Sequence, residues 1–183
     1  MDKFMETIKG RRSIRSFQEK PLPDKVLEQI LDAVRYSPSW ANSQCWEIIV
    51  VRKKETKEAL AETLGKNPAQ KAMIQAPVVL GVVGKLKNSG YYKGEASTKF
   101  GDWFMFDLGI ASQSICLAAY AFGLGSVIVG ALDHNKAKNM LTVGEGYELV
   151  ALIPLGYPDK ETKGPKRREV SEFTHEEHFG GTR

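Results

Sequence analysis

Residues 78–83 read Val-Val-Leu-Gly-Val-Val, bounded by Pro77 and Gly84. This unbroken apolar run limits the architecture more than any other segment. It lacks the alternation that would leave one face to water, so it predicts a central strand covered on both sides. The rest of the chain supplies covering layers. Phe4, Met5 and Ile8 stand at helical spacing before Gly10, predicting a first helix over residues 2–9. Asp24 is expected to cap a second helix carrying Val26, Leu27, Ile30, Leu31 and Val34, which runs out at Tyr36-Ser37-Pro38.

Further elements alternate. Trp46 to Arg52 is a β-branched run that reads as a buried strand, and helices are expected over 54–64 and near 69–76. Lys85 to Gly101 has no clear periodicity and carries Tyr91, Tyr92 and Phe100, which reads as a mobile lid. A long helix from about Trp103 to Phe122 should stop at Gly123, followed by a strand at Ser126–Val129, a helix at Asp133–Leu141 and a strand at Glu148–Pro154. The pattern predicts helices packed on a sheet of four or five strands in a single domain, 1–183. From about residue 157 an extended tail has no hydrophobic core of its own and is expected to wrap over another surface.

Composition narrows the function classes. A net charge of +4 suits phosphorylated ligands but is too small and scattered for nucleic acid. Cys45 and Cys116 form no CxxC pair, so neither a disulfide framework nor a zinc site is expected, and a reducing cytoplasm is the natural compartment. The apolar stretch Phe104–Leu124 contains Asp107 and Gln113 and reads as a buried helix rather than a membrane span. His175 and His178 are three apart, which does not fit the i, i+4 spacing of a helical zinc pair.

Chemistry concentrates in three places. Arg11, Arg12, Ser13 and Arg15 put three guanidiniums and a hydroxyl directly after a helix, and guanidinium forks match phosphate oxygens. A solvated basic turn would look the same in isolation. The loop Ser37-Pro38-Ser39-Trp40-Ala41-Asn42-Ser43-Gln44 gathers small polar groups and amides, whose donor and acceptor edges suit a heteroaromatic ring. Lys166-Arg167-Arg168 is a second basic cluster able to converge on the same phosphate. Gly123, Gly125 and Gly130 follow a helix and enter a strand, the reverse of a dinucleotide-binding turn. Backbone at Gly130 could approach a flat ligand closely. Hydrolysis has little support, because GxSxG is absent and the two cysteines read as packing residues.

Taken together, RRSIRSF, SPSWANSQCW, DLGIASQSICLAAYAFGLGS and KRREVSEFTH, in that order, resemble the nitroreductase family of FMN-dependent oxidoreductases. The resemblance implies an α+β three-layer sandwich around a mostly antiparallel sheet, with two subunits exchanging segments and FMN at the homodimer interface. By that resemblance Arg11, Arg12, Ser13 and Arg15 would meet the phosphate and flavin edge, and Arg167 or Arg168 would close on the phosphate. Ser37, Pro38, Ser39, Asn42 and Gln44 would come from the other subunit, while Gly130 would direct its backbone N–H toward flavin N5 and Val129 would join it among the cofactor-binding residues. Cys45 stands where the family often has proline. The implied reaction passes electrons from NADH or NADPH to a small acceptor, such as a nitroaromatic or quinone, by a ping-pong cycle. The cofactor carries the chemistry, so no acid–base triad is expected. Rival expectations are a relative specialised for dehalogenation or flavin-ring cleavage, and a non-catalytic FMN-binding protein.

Overall fold

The computed structural model describes residues 2–182. In chain order it contains α1 (Lys3–Gly10), α2 (Asp24–Arg35), β1 (Trp46–Val51), α3 (Lys54–Glu62), α4 (Gln70–Gln75) and β2 (Val78–Lys85). A small hairpin β3 (Tyr91–Tyr92) and β4 (Glu95–Ala96) precedes α5 (Phe104–Ala121), β5 (Gly125–Ser126), α6 (His134–Met140) and β6 (Tyr147–Gly156). The main sheet runs β1-β2-β6-β5 and every ladder is antiparallel. The fold is α+β, as the family resemblance implies; the alternation of elements alone fits α/β as well.

The apolar run is the centre of that sheet, and its residues divide by parity between two cores. Val79 and Val83 face α3, α4 and α6 through Leu60, Met73 and Ala137, whereas Val78, Leu80 and Val82 face α2 and α5 through Leu27, Ile30, Leu108 and Ile115. On β6, Leu149 and Leu152 join the first core, Ala151 and Ile153 the second. The register shift between Val82 and Val83 explains why odd- and even-numbered residues share a core there, since an extra residue in a bulge reverses the facing of everything beyond it. Three layers result, with the sheet in the middle.

Several local expectations need correction. Asp24 occupies the first turn of α2 rather than capping it; Pro23 holds the cap position, and the Asp24 carboxylate pairs with Arg52 at 2.5 Å. β1 is an edge strand and only half-buried, because nothing pairs with its outer side among the described residues. Residues 85–101 are not structureless. They fold as the small hairpin, tied down by Ser97 N–H to the Gly90 carbonyl at 2.8 Å and by Trp103 N–H to the Ser89 carbonyl at 3.1 Å.

The expectation of a wholly buried α5 is half right. Leu108, Ala111, Ile115 and Ala119 lie against the sheet, yet Met105 and Phe106 on another side are 57% and 61% exposed. Phe4, Met5 and Ile8 of the neighbouring α1 are also uncovered. A helix apolar all round with one face on the sheet still has a second face to bury.

Candidate functional site

The arginine turn is held by backbone, which fixes where its charges lie. Arg11 N–H ends α1 on the Thr7 carbonyl at 3.1 Å, and Ile14 N–H donates to the Ser126 carbonyl at 2.9 Å. Ser13 and Ser126 form a parallel bridge there. The approach requires glycine at 125, since a Cβ on that residue would stand 2.6 Å from Ile14 Cγ1. Gly10 is likewise overlain by the Tyr120 ring from the last turn of α5. The Gly125 contact therefore pins the turn beside the C-terminal end of α5, and the Tyr120 ring covers it.

The chain beyond β6 returns to the same place. Gln18 N–H bonds the Tyr157 carbonyl at 2.9 Å, and Ser16 Oγ donates to Asp159 Oδ2 at 3.1 Å. Running beside Ser16–Gln18, the tail lays residues 162–167 across the arginine turn. Arg11, Arg12, Ser13 and Arg15 together with Lys163 and Arg167 line a pocket of about 250 Å³. Among the described residues, none of Arg11, Arg12, Arg15 and Arg167 pairs with a carboxylate. Uncompensated guanidiniums gathered in one concavity can hold an anion, and their forks match phosphate oxygens.

Not every expected residue is free for a ligand. Arg12 turns Nη1 back onto the Arg11 carbonyl at 2.8 Å and onto the Lys9 carbonyl, so much of its capacity satisfies the end of α1. Arg168 leaves the pocket; it bonds the Glu172 carbonyl and its guanidinium lies 5.7 Å from the Phe173 ring centroid. Of the two tail arginines, only Arg167 lines the cavity.

From Ser126 the chain continues extended to Val129, which pairs with Leu152 in the register already set by β5 and β6. The Val129 side chain is core, and both its backbone groups are bonded to Leu152 at 2.9 Å, leaving it no free polar group. Gly130 comes next and is exposed. Its carbonyl meets His134 Nε2 at 3.0 Å, while the other ring nitrogen of His134 meets the Leu149 carbonyl at 2.9 Å. His134, which sequence reasoning passed over, thus fixes the Gly130 peptide. Four extended residues place Gly130 about 13 Å from Ser126.

The 37–45 loop lies elsewhere. Ser37 is buried, with its hydroxyl 2.7 Å from that of Ser114, and Pro38 is exposed. Trp40 N–H reaches both carboxylate oxygens of Asp107 at 3.2 Å. Ser39 Oγ accepts from Gln44 N–H at 3.0 Å, and Gln44 Nε2 donates to Asn42 Oδ1 at 3.2 Å. Asp107 is in the first turn of α5 and Tyr120 in its last, about 20 Å apart along the axis. Within one chain, the loop and the arginine pocket therefore do not meet. Cys45, 2% exposed beneath the loop, has its thiol pushed up to about 12 by burial first and by the Asp107 carboxylate second. Burial also raises Cys116. Neither is a nucleophile.

A sequence profile described as the nitroreductase family matches residues 8–157. An NADH dehydrogenase of Thermus thermophilus is 31% identical, with 82% of this chain and 84% of that protein covered. An FMN reductase [NAD(P)H] of Bacillus subtilis is 29% identical over 91% of this chain and 70% of its own length. Among solved structures, a nitroreductase family protein from Clostridium novyi NT superposes with a TM-score of 0.76 at 28% identity, covering 98% of this chain and 96% of the other.

Proposed function

Because the chain belongs to the nitroreductase family, we infer that it is an NAD(P)H-dependent oxidoreductase that uses FMN, and we propose which residues hold the cofactor. The observation that carries the assignment is the pocket in which Arg11, Ser13, Arg15 and Arg167 meet with no carboxylate among its lining residues. It fits a terminal phosphate. The extended segment from Ser126 to Gly130 then leads from the phosphate end toward the ring end, and the Gly130 amide, which donates no bond among the described residues, supplies the hydrogen bond to flavin N5. FMN, when bound, supplies hydride acceptance and donation at N5. The protein contributes binding, orientation and exclusion of water; donor and small organic acceptor take turns over one face, a ping-pong order.

The remaining half of the site comes from a second copy. α5 presents an uncovered groove lined by Met105, Phe106, Gly109, Ile110, Gln113 and Leu117, and a two-fold axis across it would run the two α5 helices antiparallel. That arrangement sets the loop anchored at the start of one α5 beside the arginine pocket at the end of the other. Ser39, Asn42 and Gln44 of one subunit would thus meet the ring and ribityl chain held by its partner. The two free, buried cysteines fit a reducing cytoplasm as the working compartment. An absorbance spectrum of the purified protein tests the reading: flavin bands that NADH or NADPH bleaches anaerobically, and that a quinone or nitroaromatic restores, are expected. Protein that stays colourless after incubation with FMN refutes it.

A further inference from the structure

Asp107 is 1% exposed, and no lysine or arginine pairs with it among the described residues. An ionised carboxylate in that position is costly unless hydrogen bonds replace its water. The replacements are specific. Ser89 Oγ donates to Oδ2 at 2.6 Å, Trp40 N–H to both oxygens, and Ser43 Oγ and Cys45 Sγ to Oδ2 at 3.4 and 3.6 Å. The N-terminal end of α5 adds the partial positive charge of the helix dipole. Three of the four donor residues belong to one loop.

That loop is bent in an unfavourable way. Ala41, Asn42 and Gln44 all have positive φ, at 44°, 55° and 45°, and none of them is glycine. Left-handed backbone at an alanine persists only where the surroundings over-determine it. Asp107 provides that determination from below, by holding the residues on both sides of the bend. Facing away from the carboxylate, Asn42 and Gln44 are exposed and bonded to one another, which fixes their amide edges. A simple core would have been satisfied by an apolar residue in place of Asp107.

Resting on the flavin reading above, we propose that Asp107 is a positioning residue: through Trp40, Ser43 and Cys45 it presets the strained 39–44 loop so that the amides of Asn42 and Gln44 meet the flavin ring held by the partner subunit. It touches no cofactor itself. Its contribution is a loop already ordered before the ring arrives.

The test separates the two ends of the cofactor. Asp107→Asn keeps the shape of the side chain but cannot accept from all four donors. FMN and riboflavin, which lacks the phosphate, are titrated into apo-protein, and hydrogen exchange is followed at the Trp40 and Gln44 amides. Both amides should exchange faster, and both ligands should bind about tenfold more weakly. Their affinity ratio should be unchanged, because the loss is confined to the ring end; Arg15→Ala should instead collapse the ratio. A general loosening of the fold would lower the ratio in Asp107→Asn as well, and that result overturns the proposal. Wild-type affinity for both ligands in the folded variant also overturns it. Should Asp107→Asn not fold, Ser89→Ala removes only the shortest bond, and unchanged FMN affinity there has the same force. Wild-type protein that takes up no FMN sinks the flavin reading, and the role of Asp107 with it, whereas normal uptake by both proteins sinks only the latter.

Discussion

Replacing Gly125 with alanine should unseat the arginine turn. The new Cβ would lie 2.6 Å from Ile14 Cγ1 and 2.7 Å from Ile14 Cβ. The second of these cannot rotate away, because it is fixed to the backbone. Ordinary carbon–carbon contact requires the two segments to part by about 1 Å. That parting stretches the Ile14 N–H bond to Ser126, now 2.9 Å, past useful range. Overpacking costs about 1–3 kcal/mol and the lost bond about 1 kcal/mol, so the variant should lose about 2–4 kcal/mol. Urea unfolding would measure this as a lower midpoint with an unchanged slope. FMN affinity should fall as well, because Ser13 and Arg15 move with Ile14. Gly10→Ala is the control. Its Cβ meets the Tyr120 ring, and that side chain is 40% exposed and free to swing outward; helix propensity offsets the disturbance, leaving a change within about 1 kcal/mol. A Gly125→Ala protein within about 0.5 kcal/mol of wild type and with wild-type FMN affinity would refute the argument.

Three other outcomes follow from the site. Arg11→Ala and Arg167→Ala should each weaken FMN binding by about 1.5–3 kcal/mol in fluorescence titration, the usual worth of a charged hydrogen bond, while Arg168→Ala should leave it unchanged. Cys45, raised from about 9.0 to about 12 in the fold, keeps its proton where the unfolded chain releases one; its stabilising contribution is complete below pH 9 and lost as pH rises toward 12. Cys45→Ala should flatten that alkaline decline in Tm, and an unaltered decline would count against the buried thiol as its source. Phe106→Asp, on the uncovered face of α5, should yield monomers by sedimentation that bind FMN far more weakly; a dimer with full flavin content would contradict the composite site.

How much was legible in the sequence varies with the range of the interactions. The run at 78–83 announced a doubly covered strand because burial on both faces leaves a mark in the residues themselves. Arg11 to Arg15 was legible as chemistry but not as occupancy: nothing in RRSIR says that Arg12 turns back to satisfy α1, and nothing in KRR says that Arg168 faces its own turn. The hairpin at Tyr91–Ala96 escaped because strands of two residues have no period to detect. The outward face of α5 is indistinguishable from core in the sequence, because apolar residues look alike whether or not the sheet covers them. In the sequence Asp107 stands out only as a charge unsuited to lipid. Its partners at positions 40, 43, 45 and 89 are brought to it by the fold, so local pattern could not reveal its use.

The proposed phosphate pocket also has a place in the timing of synthesis. Arg11 to Arg15 leave the ribosome before Arg167, the pocket's other wall, which follows about 150 residues later. At ordinary elongation rates that interval is about 8–30 s. Through all of it the nascent chain displays three guanidiniums with no closing segment, and β6, which aligns Ser126 and Gly130, is missing for most of the same interval. On the proposed site, flavin capture therefore waits until Arg167 has followed and closed the pocket.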